Sequence, residues 1–258
     1  MRIVWDSCHF NPRRSAPFDV ERGRQLWREA LASVPPGKVP VFSKETLTMP
    51  EYYVSPDDGR VAARLFQLTG PARIVIMVRH QVRMIESLYL VQTKGPRYMA
   101  PSEWLASKRK GTALLLYSYH AMAARFAEHF GRENVGVFAL ENLKSDVADF
   151  TRRLCSFIGI DAERALDLLR NERRNRRVSQ RYLIYSKLRK RMGLYMPIGA
   201  MLPRAVREAF NSFVRGGSEA SFELPPRLRA EVESLYREDN RRLAEEWQLP
   251  LKQYGYPL

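Results

Sequence analysis

The hydrophobic positions on either side of Arg79 change their period within one short stretch of chain. Ile74–Val78 is an uninterrupted run of five apolar residues, which is typical of a parallel strand covered on both faces. Beyond residue 80 the apolar side chains recur every three or four residues, at Met84, Leu88 and Val91. This spacing favours an amphipathic helix. The pattern therefore predicts a buried strand that ends at Arg79 and leads directly into a helix.

Two further polar residues of this helix accompany the arginine. Arg83 and Ser87 are four residues apart, so they lie one turn apart on the same face. Open α/β sheets bind ligands at the carboxyl ends of their strands. An arginine at such an end, followed by an arginine and a serine on the next helix, can hold a phosphate through charged hydrogen bonds.

The same periodicities run through the rest of the chain. Helices are predicted at residues 18–33 (with Asp19 as N-cap), 60–68, 101–108, 203–214 and 225–246, and strands at residues 1–6, 39–43, 74–78 and 135–140. Strands separated by helices at this spacing predict an α/β fold with a parallel, doubly wound sheet. Residues 1–170 are expected to form this core, and residues 171–258 a basic helical cap on it, within a single domain.

The segment around Arg79 resembles the 3′-phosphate-binding motif of sulfotransferases that use 3′-phosphoadenosine 5′-phosphosulfate (PAPS). In that family a hydrophobic strand ends in Arg, and a Ser follows eight residues later ahead of an aromatic residue. The corresponding residues here are Arg79, Ser87 and Tyr89. The form Arg79-His80-Gln81 is similar to bacterial members of the family.

Later segments follow the order typical of the same family. A helix stops at Phe130-Gly131, a strand at residues 135–140 ends on Glu141, and a helix closes at residues 157–160. The run at residues 236–243, close to Trp247, resembles the family's terminal helix. The resemblance covers most of the chain and implies a P-loop-type sheet flanked by helices.

This resemblance also implies a co-substrate and its ligands. Arg79 would bind the 3′-phosphate of PAPS or of its product, adenosine 3′,5′-bisphosphate, and Ser87 would add a hydroxyl donor. Arg83 either joins them or pairs with Glu86 or Glu45. A basic lid over the nucleotide would include Arg176, Arg177 and Ser179, unless this cluster is a solvated charge run.

The acceptor side of the site is expected after residue 43. Ser43-Lys44-Glu45 resembles the Ser-x-Glu at a strand end of the family. Glu45 is the candidate general base for the acceptor proton and Lys44 a stabiliser of the transferring group. The alternative for both is a capping or salt-bridge pair. His80, beside Arg79, is the alternative base. The expected acceptor is a hydroxyl or amine on a carbohydrate-like molecule.

One half of the family's cofactor site is not recognisable. The family's first strand leads into a loop of the type Lys-x-Gly-Thr-Thr, which holds the 5′-phosphosulfate. Residues 7–11, SCHFN, contain no glycine. The chain is therefore predicted to be a truncated or degenerate member with poor or no turnover.

The amino-acid composition favours an anionic partner but indicates no other class of function. The formal net charge of +15 favours a nucleotide, an acidic glycan, nucleic acid or a membrane surface. A basic nucleic-acid-binding protein without catalysis is the alternative; its only support is charge, since no nucleic-acid-binding motif is evident. A nucleotide-dependent kinase is disfavoured by the missing GxxxxGK[ST] loop.

Metal, disulfide and membrane features are not indicated. His9, His80, His120 and His129 have no metal-binding spacing, so no metal is expected. The two cysteines are too few for a disulfide framework, and Cys155 is predicted to be a small core residue. No apolar run reaches bilayer length and no signal peptide is visible. A cytoplasmic protein is the resulting expectation.

Overall fold

The computed structural model describes residues 19–43, 60–92, 99–110, 113–169, 203–215 and 221–258, together with the single residues 181, 184, 185, 188 and 192. The described helices are α1 (Val20–Ala32), α2 (Arg60–Thr69), α3 (Gln81–Gln92), α4 (Pro101–Lys110), α5 (Tyr119–Phe130), α6 (Leu140–Ser145), α7 (Val147–Ile158), α8 (Ala162–Leu169), α9 (Arg204–Arg215) and α10 (Pro226–Glu246). Short 3₁₀ helices lie at Ala113–Tyr117, Arg132–Asn134 and Leu251–Tyr254. Among the described residues, no helix has the length and apolarity needed to cross a membrane.

A two-stranded parallel sheet stands at the centre of the α/β arrangement. It consists of β1 (Ile74–Val78) and β2 (Val135–Ala139), paired in register from Ile74 opposite Val135 to Val78 opposite Ala139. Helix α5 contacts both strands, and α6 and α7 contact β2. The described part of the chain is thus mostly helical around a small parallel sheet, which confirms the predicted α/β class in its coarse form.

The two faces of this sheet are buried to different extents. One face, which includes Ile76, Val78 and Val137, is buried. On the other face the side chains of Phe150 and Phe157 in α7 cover Phe138, with ring centroids 6.0 and 5.8 Å apart. The neighbouring β1 residues on that face, Val75 and Met77, remain 39 % and 44 % exposed. The prediction that both faces of β1 are covered is therefore wrong, because α7 covers only the β2 half.

Local signals placed most helices correctly. The side chain of Asp19 accepts a hydrogen bond from the Arg22 N–H at 2.9 Å, and so caps α1 as predicted. Gly23 lies where α1 meets α2, and a Cβ at this position would overlap the side chain of Leu68. Gly159 ends α7 in the left-handed conformation, with φ of +77°.

Two strand predictions need correction. Residues 39–43 have no regular secondary structure; only Phe42 packs inward, with its ring 4.2 Å from that of Trp27, while Val39 and Val41 are exposed. Pro40 also lacks the N–H that a strand ladder needs. Glu141 does not end a strand, because β2 stops at Ala139 and Glu141 lies in the first turn of α6.

The chain divides into two compact units that interleave in sequence. The described residues of unit 1 lie within Met1–Arg79, Lys108–Arg170 and Tyr236–Leu258. Those of unit 2 lie within His80–Ser107 and Asn171–Leu235. Unit 1 contains the sheet. The division into a core at residues 1–170 and a cap at residues 171–258 remains a prediction.

The second half of α10 supplies part of the core of unit 1. Tyr236, Asn240 and Leu243 recur on one face of the helix and are fully buried. The hydroxyl of Tyr236 donates to the Leu114 carbonyl oxygen at 2.6 Å. In the same unit Cys155 is buried, as predicted for a core residue, and desolvation raises the pKa of its thiol.

Candidate functional site

Arg79 lies at the carboxyl end of β1, directly after Val78. Its carbonyl oxygen accepts a hydrogen bond from the hydroxyl of Tyr119, the first residue of α5, at 2.9 Å. Tyr119 is buried, and desolvation raises the pKa of its hydroxyl, while the hydrogen bond to Arg79 and the Arg79 charge oppose this shift. The hydroxyl therefore stays protonated near neutral pH and remains a donor. It fixes the backbone from which the Arg79 side chain extends.

A buried acidic group follows the other strand at the same end of the sheet. Because Val78 pairs with Ala139, the chain leaves both strands side by side. Glu141, two residues after β2, is 6 % exposed, and its Oε2 accepts a hydrogen bond from the Tyr256 hydroxyl at 2.9 Å. Tyr256 is buried as well. Desolvation and the nearby Glu141 carboxylate raise the pKa of its hydroxyl, and the charge of Arg79 lowers it.

Opposite charges at this sheet end thus act on the same two tyrosine hydroxyls. The charge of Glu141 raises and that of Arg79 lowers the pKa of both Tyr119 and Tyr256. Both charged groups therefore lie near these hydroxyls. Arg79, itself half-buried, places a positive charge at this end of the sheet, where an anionic ligand could be attracted to it.

The last residues of the chain place Tyr256 against this cluster. Asn240 Nδ2 donates to the Pro257 carbonyl oxygen at 3.0 Å, and Arg237 Nη1 donates to the Leu258 carbonyl oxygen at 2.9 Å. Gly255 turns the chain with φ of +75°, a conformation that favours glycine. Helix α10 therefore positions the residues that follow it, and through them the donor to Glu141.

Removing this donor is expected to destabilise unit 1. In Tyr256→Phe the buried Glu141 carboxylate loses one hydrogen bond, and the free energy of unfolding should fall by about 1.5 kcal/mol. Urea unfolding followed by circular dichroism measures the change. Tyr254→Phe is the matched control, because Tyr254 lies two residues earlier and only half-buried. Equal effects in both variants would show that the Glu141–Tyr256 hydrogen bond contributes nothing.

Helix α3 in unit 2 carries the other predicted phosphate ligands. Arg83 is exposed and, within the described residues, makes no ion pair; Ser87 is half-buried one turn later. Of the alternatives for Arg83, the ion pair with Glu86 is therefore not formed. Glu86 Oε1 instead accepts hydrogen bonds from the Leu224 N–H at 2.9 Å and from Arg229 Nη2 at 3.4 Å.

The buried face of α3 differs from the predicted one. Its buried side chains are Gln81, Val82, Ile85 and Tyr89, whereas Val91 is exposed. The Tyr89 hydroxyl donates to the Met99 carbonyl oxygen at 2.8 Å, and its ring packs against Phe222 at 4.2 Å. The aromatic residue of the sequence motif is thus a packing residue of unit 2.

His80, the predicted alternative base, is buried. Its carbonyl oxygen accepts the Met84 N–H at 2.9 Å and so begins the first turn of α3. Its role as an alternative base stays a prediction.

Several predicted site residues lie outside the described residues. These are Lys44 and Glu45 on the acceptor side, Arg176, Arg177 and Ser179 of the basic lid, and residues 7–11 of the expected phosphosulfate loop. Their roles stay predictions. Among the described residues, no group of three or more His, Cys, Asp or Glu side chains is arranged to hold a metal ion.

Sequence reasoning missed most of the polar network around Arg79. Glu141 follows a buried strand, a position that could have marked it as a site residue. Tyr119 and Tyr256 have no local signal, because their partners are 40 and 115 residues away in sequence.

Comparison with known proteins supports this fold. The structure is similar to the crystal structure of a sulfotransferase from Alicyclobacillus acidocaldarius, with a TM-score of 0.55, and the match covers 90 % of this chain and 73 % of that chain. The two sequences are 16 % identical, so the likeness concerns the fold. No protein-family model and no curated protein matches the chain. The fold is therefore sulfotransferase-like.

Proposed function

We propose that this protein binds PAPS, or its product adenosine 3′,5′-bisphosphate, through Arg79 and belongs functionally with the sulfotransferases. The observation that carries the proposal is the succession β1–Arg79–α3 within a fold similar to that of a bacterial sulfotransferase. An arginine at a strand end is suited to a phosphate ligand, since its guanidinium can donate two parallel hydrogen bonds.

The remaining nucleotide contacts are proposed from the resemblance to the sulfotransferase motif. Ser87 adds a neutral hydroxyl donor from α3, and the exposed Arg83 supplies a second cation one turn before it. Arg176, Arg177 and Ser179 are proposed to close over the bound nucleotide. No metal is required for this mode of binding, because arginines supply the positive charge.

The proposed reaction is transfer of the sulfuryl group to a hydroxyl or amine of a carbohydrate-like acceptor. The acceptor oxygen or nitrogen attacks sulfur, the bond from sulfur to the phosphate oxygen breaks, and Glu45 takes the acceptor proton. Lys44 would stabilise the transferring group, and His80 is the alternative base. Glu45→Gln would then lower turnover without weakening nucleotide binding.

Transfer by this chain is proposed to be weak. Residues 7–11 lack the glycine-containing loop that would stabilise the leaving phosphate, and loss of even one such donor commonly costs about a hundredfold in rate. Nucleotide binding at the 3′-phosphate is proposed to occur whether or not transfer is detectable. A cytoplasmic location is part of the same proposal.

Calorimetric titration tests the proposal without requiring turnover. Adenosine 3′,5′-bisphosphate should bind the full chain at least about tenfold more tightly than adenosine 5′-monophosphate, because only the former carries the phosphate that Arg79 is proposed to hold. Equal affinities for the two nucleotides, or no binding of either, would reject the proposal.

A further inference from the structure

The positive charge of this protein is concentrated in one stretch of the chain. Residues 171–215 contain twelve Lys and Arg residues and two Glu residues, so they carry ten of the fifteen net positive charges. Nucleotide binding accounts for only a few of these charges. Such a concentration in less than a fifth of the chain indicates a second, extended anionic partner.

Exposed apolar side chains accompany this charge. Ile184, Leu188 and Met192 recur every four residues, and the Met192 N–H donates to the Leu188 carbonyl oxygen at 3.0 Å, which is helical spacing. Their side chains therefore lie in one row. All three are about half-exposed or more, between 49 % and 65 %.

Helix α9 in the same unit extends this apolar surface. Val206 and Phe213 are seven residues apart, on one side of the helix, and both are more than half-exposed. Two contacts join α9 to the preceding segment: the ring of Phe210 lies 5.4 Å from that of Tyr185, and the Arg181 guanidinium lies 4.6 Å from the Phe213 ring. Cationic and apolar groups thus share one part of unit 2.

We propose that these exposed side chains form a docking surface for an anionic lipid bilayer. The surface, called here the 184–213 face, consists of Ile184, Leu188, Met192, Val206 and Phe213. Exposed apolar rows flanked by many cations are typical of helices that lie in the plane of a membrane interface. The cations are attracted to anionic headgroups, and the apolar side chains enter the boundary with the acyl chains.

The combination of cations and exposed apolar side chains favours an anionic bilayer over two other kinds of partner. A soluble polyanion such as nucleic acid or an acidic glycan would satisfy the cations but leave the apolar row in water. A second copy of this chain would cover the apolar row but bring a segment of net charge +10 against an identical one. An anionic bilayer satisfies both features.

Vesicle flotation with the full-length protein tests the proposal. The probes are vesicles of phosphatidylcholine alone and of phosphatidylcholine with about 30 % phosphatidylserine, without nucleotide. Binding is expected only to the anionic vesicles. Neutralising four clustered cations together, with Lys187, Arg189, Lys190 and Arg191 each replaced by Gln, should weaken it by roughly 600-fold, since each cation near the surface contributes about fivefold.

The apolar contribution is tested separately. The triple variant Ile184→Ser, Leu188→Ser, Phe213→Ser should bind anionic vesicles at least about tenfold more weakly, because each buried apolar side chain contributes favourably. Leu168→Ser is the matched control, since Leu168 is an exposed leucine of α8 in unit 1. The control should bind as the unmodified protein does. Thermal unfolding should be unchanged in the triple variant and in the control, because Ile184, Leu188, Phe213 and Leu168 are exposed.

Three outcomes would overturn the proposal. Unchanged vesicle binding by the triple variant would show that the cations alone cause the binding. The surface would then suit a soluble polyanion equally well. An equal loss of heparin and vesicle binding in the triple variant would show damage to the cationic surface itself. A dimer in solution that the triple variant converts to a monomer would assign the 184–213 face to self-association.

Discussion

Replacing Arg79 with alanine is expected to weaken binding of adenosine 3′,5′-bisphosphate by about 2–3 kcal/mol, roughly 30- to 150-fold. Arg79 is the residue proposed to make a bidentate, charge-assisted contact to the 3′-phosphate. Its backbone is fixed by the Tyr119 hydroxyl, and the buried Glu141 lies at the same sheet end. A side chain held in place in advance loses little entropy on binding, so its removal takes away nearly the whole contact.

Calorimetry on matched variants measures this loss. Arg73→Ala removes an exposed arginine before β1 and should leave the affinity unchanged. Arg79→Lys should fall between alanine and the unmodified protein, because a lysine keeps the charge but not the fork geometry. Ser87→Ala should cost less than Arg79→Ala, since it removes a neutral donor. Unaltered affinity in a folded Arg79→Ala variant would remove Arg79 from the site.

The elements nearest Arg79 were largely readable from local sequence. The apolar run Ile74–Val78 is the strand as predicted, and Gly131 and Gly159 end their helices near the predicted positions. These features depend on periodicity and on backbone conformations that favour glycine, which are local properties of the chain. The similarity in fold to a bacterial sulfotransferase agrees with the order of these elements.

Other features depend on contacts that no local pattern encodes. Periodicity predicted a helix at α3 but not its buried face, which includes Tyr89 because the Tyr89 ring packs against Phe222 from a distant segment. The predicted strand at residues 39–43 is absent for a similar reason. Only the Phe42 ring packs against another side chain there, that of Trp27. Tertiary packing overrode the local preference in both cases.

The candidate site was likewise predictable only in part from local sequence. The position of Arg79 followed from the strand and the resemblance, whereas its surroundings did not. Glu141 is brought to it by strand pairing, and Tyr256 by a tail anchored on α10. A short sequence motif therefore located Arg79, the proposed ligand residue. Contacts between distant parts of the sequence form its surroundings.

The position of α10 leads to the second large prediction, that Leu243→Ala lowers the free energy of unfolding of unit 1 by about 2–5 kcal/mol. Leu243 has no exposed surface, so truncation removes apolar contacts and leaves a cavity that its neighbours fill only in part. One turn earlier, Asp239 accepts hydrogen bonds from the N–H groups of His120 and Ala121 at 3.0 and 3.2 Å. These contacts join α10 to the start of α5, and they limit how far the helix can shift to fill the cavity.

Leu235→Ala in the same helix is the matched control. It makes the same change of residue and of helix propensity, but the Leu235 side chain is 43 % exposed, so its effect should stay within about 0.5 kcal/mol. Urea unfolding monitored by circular dichroism at 222 nm compares the two variants, with the denaturant slope checked for constancy. Similar small losses in both would mean that α10 does not pack into the core of unit 1. A large loss confined to Leu243→Ala would establish that the second half of α10 packs into the core of unit 1.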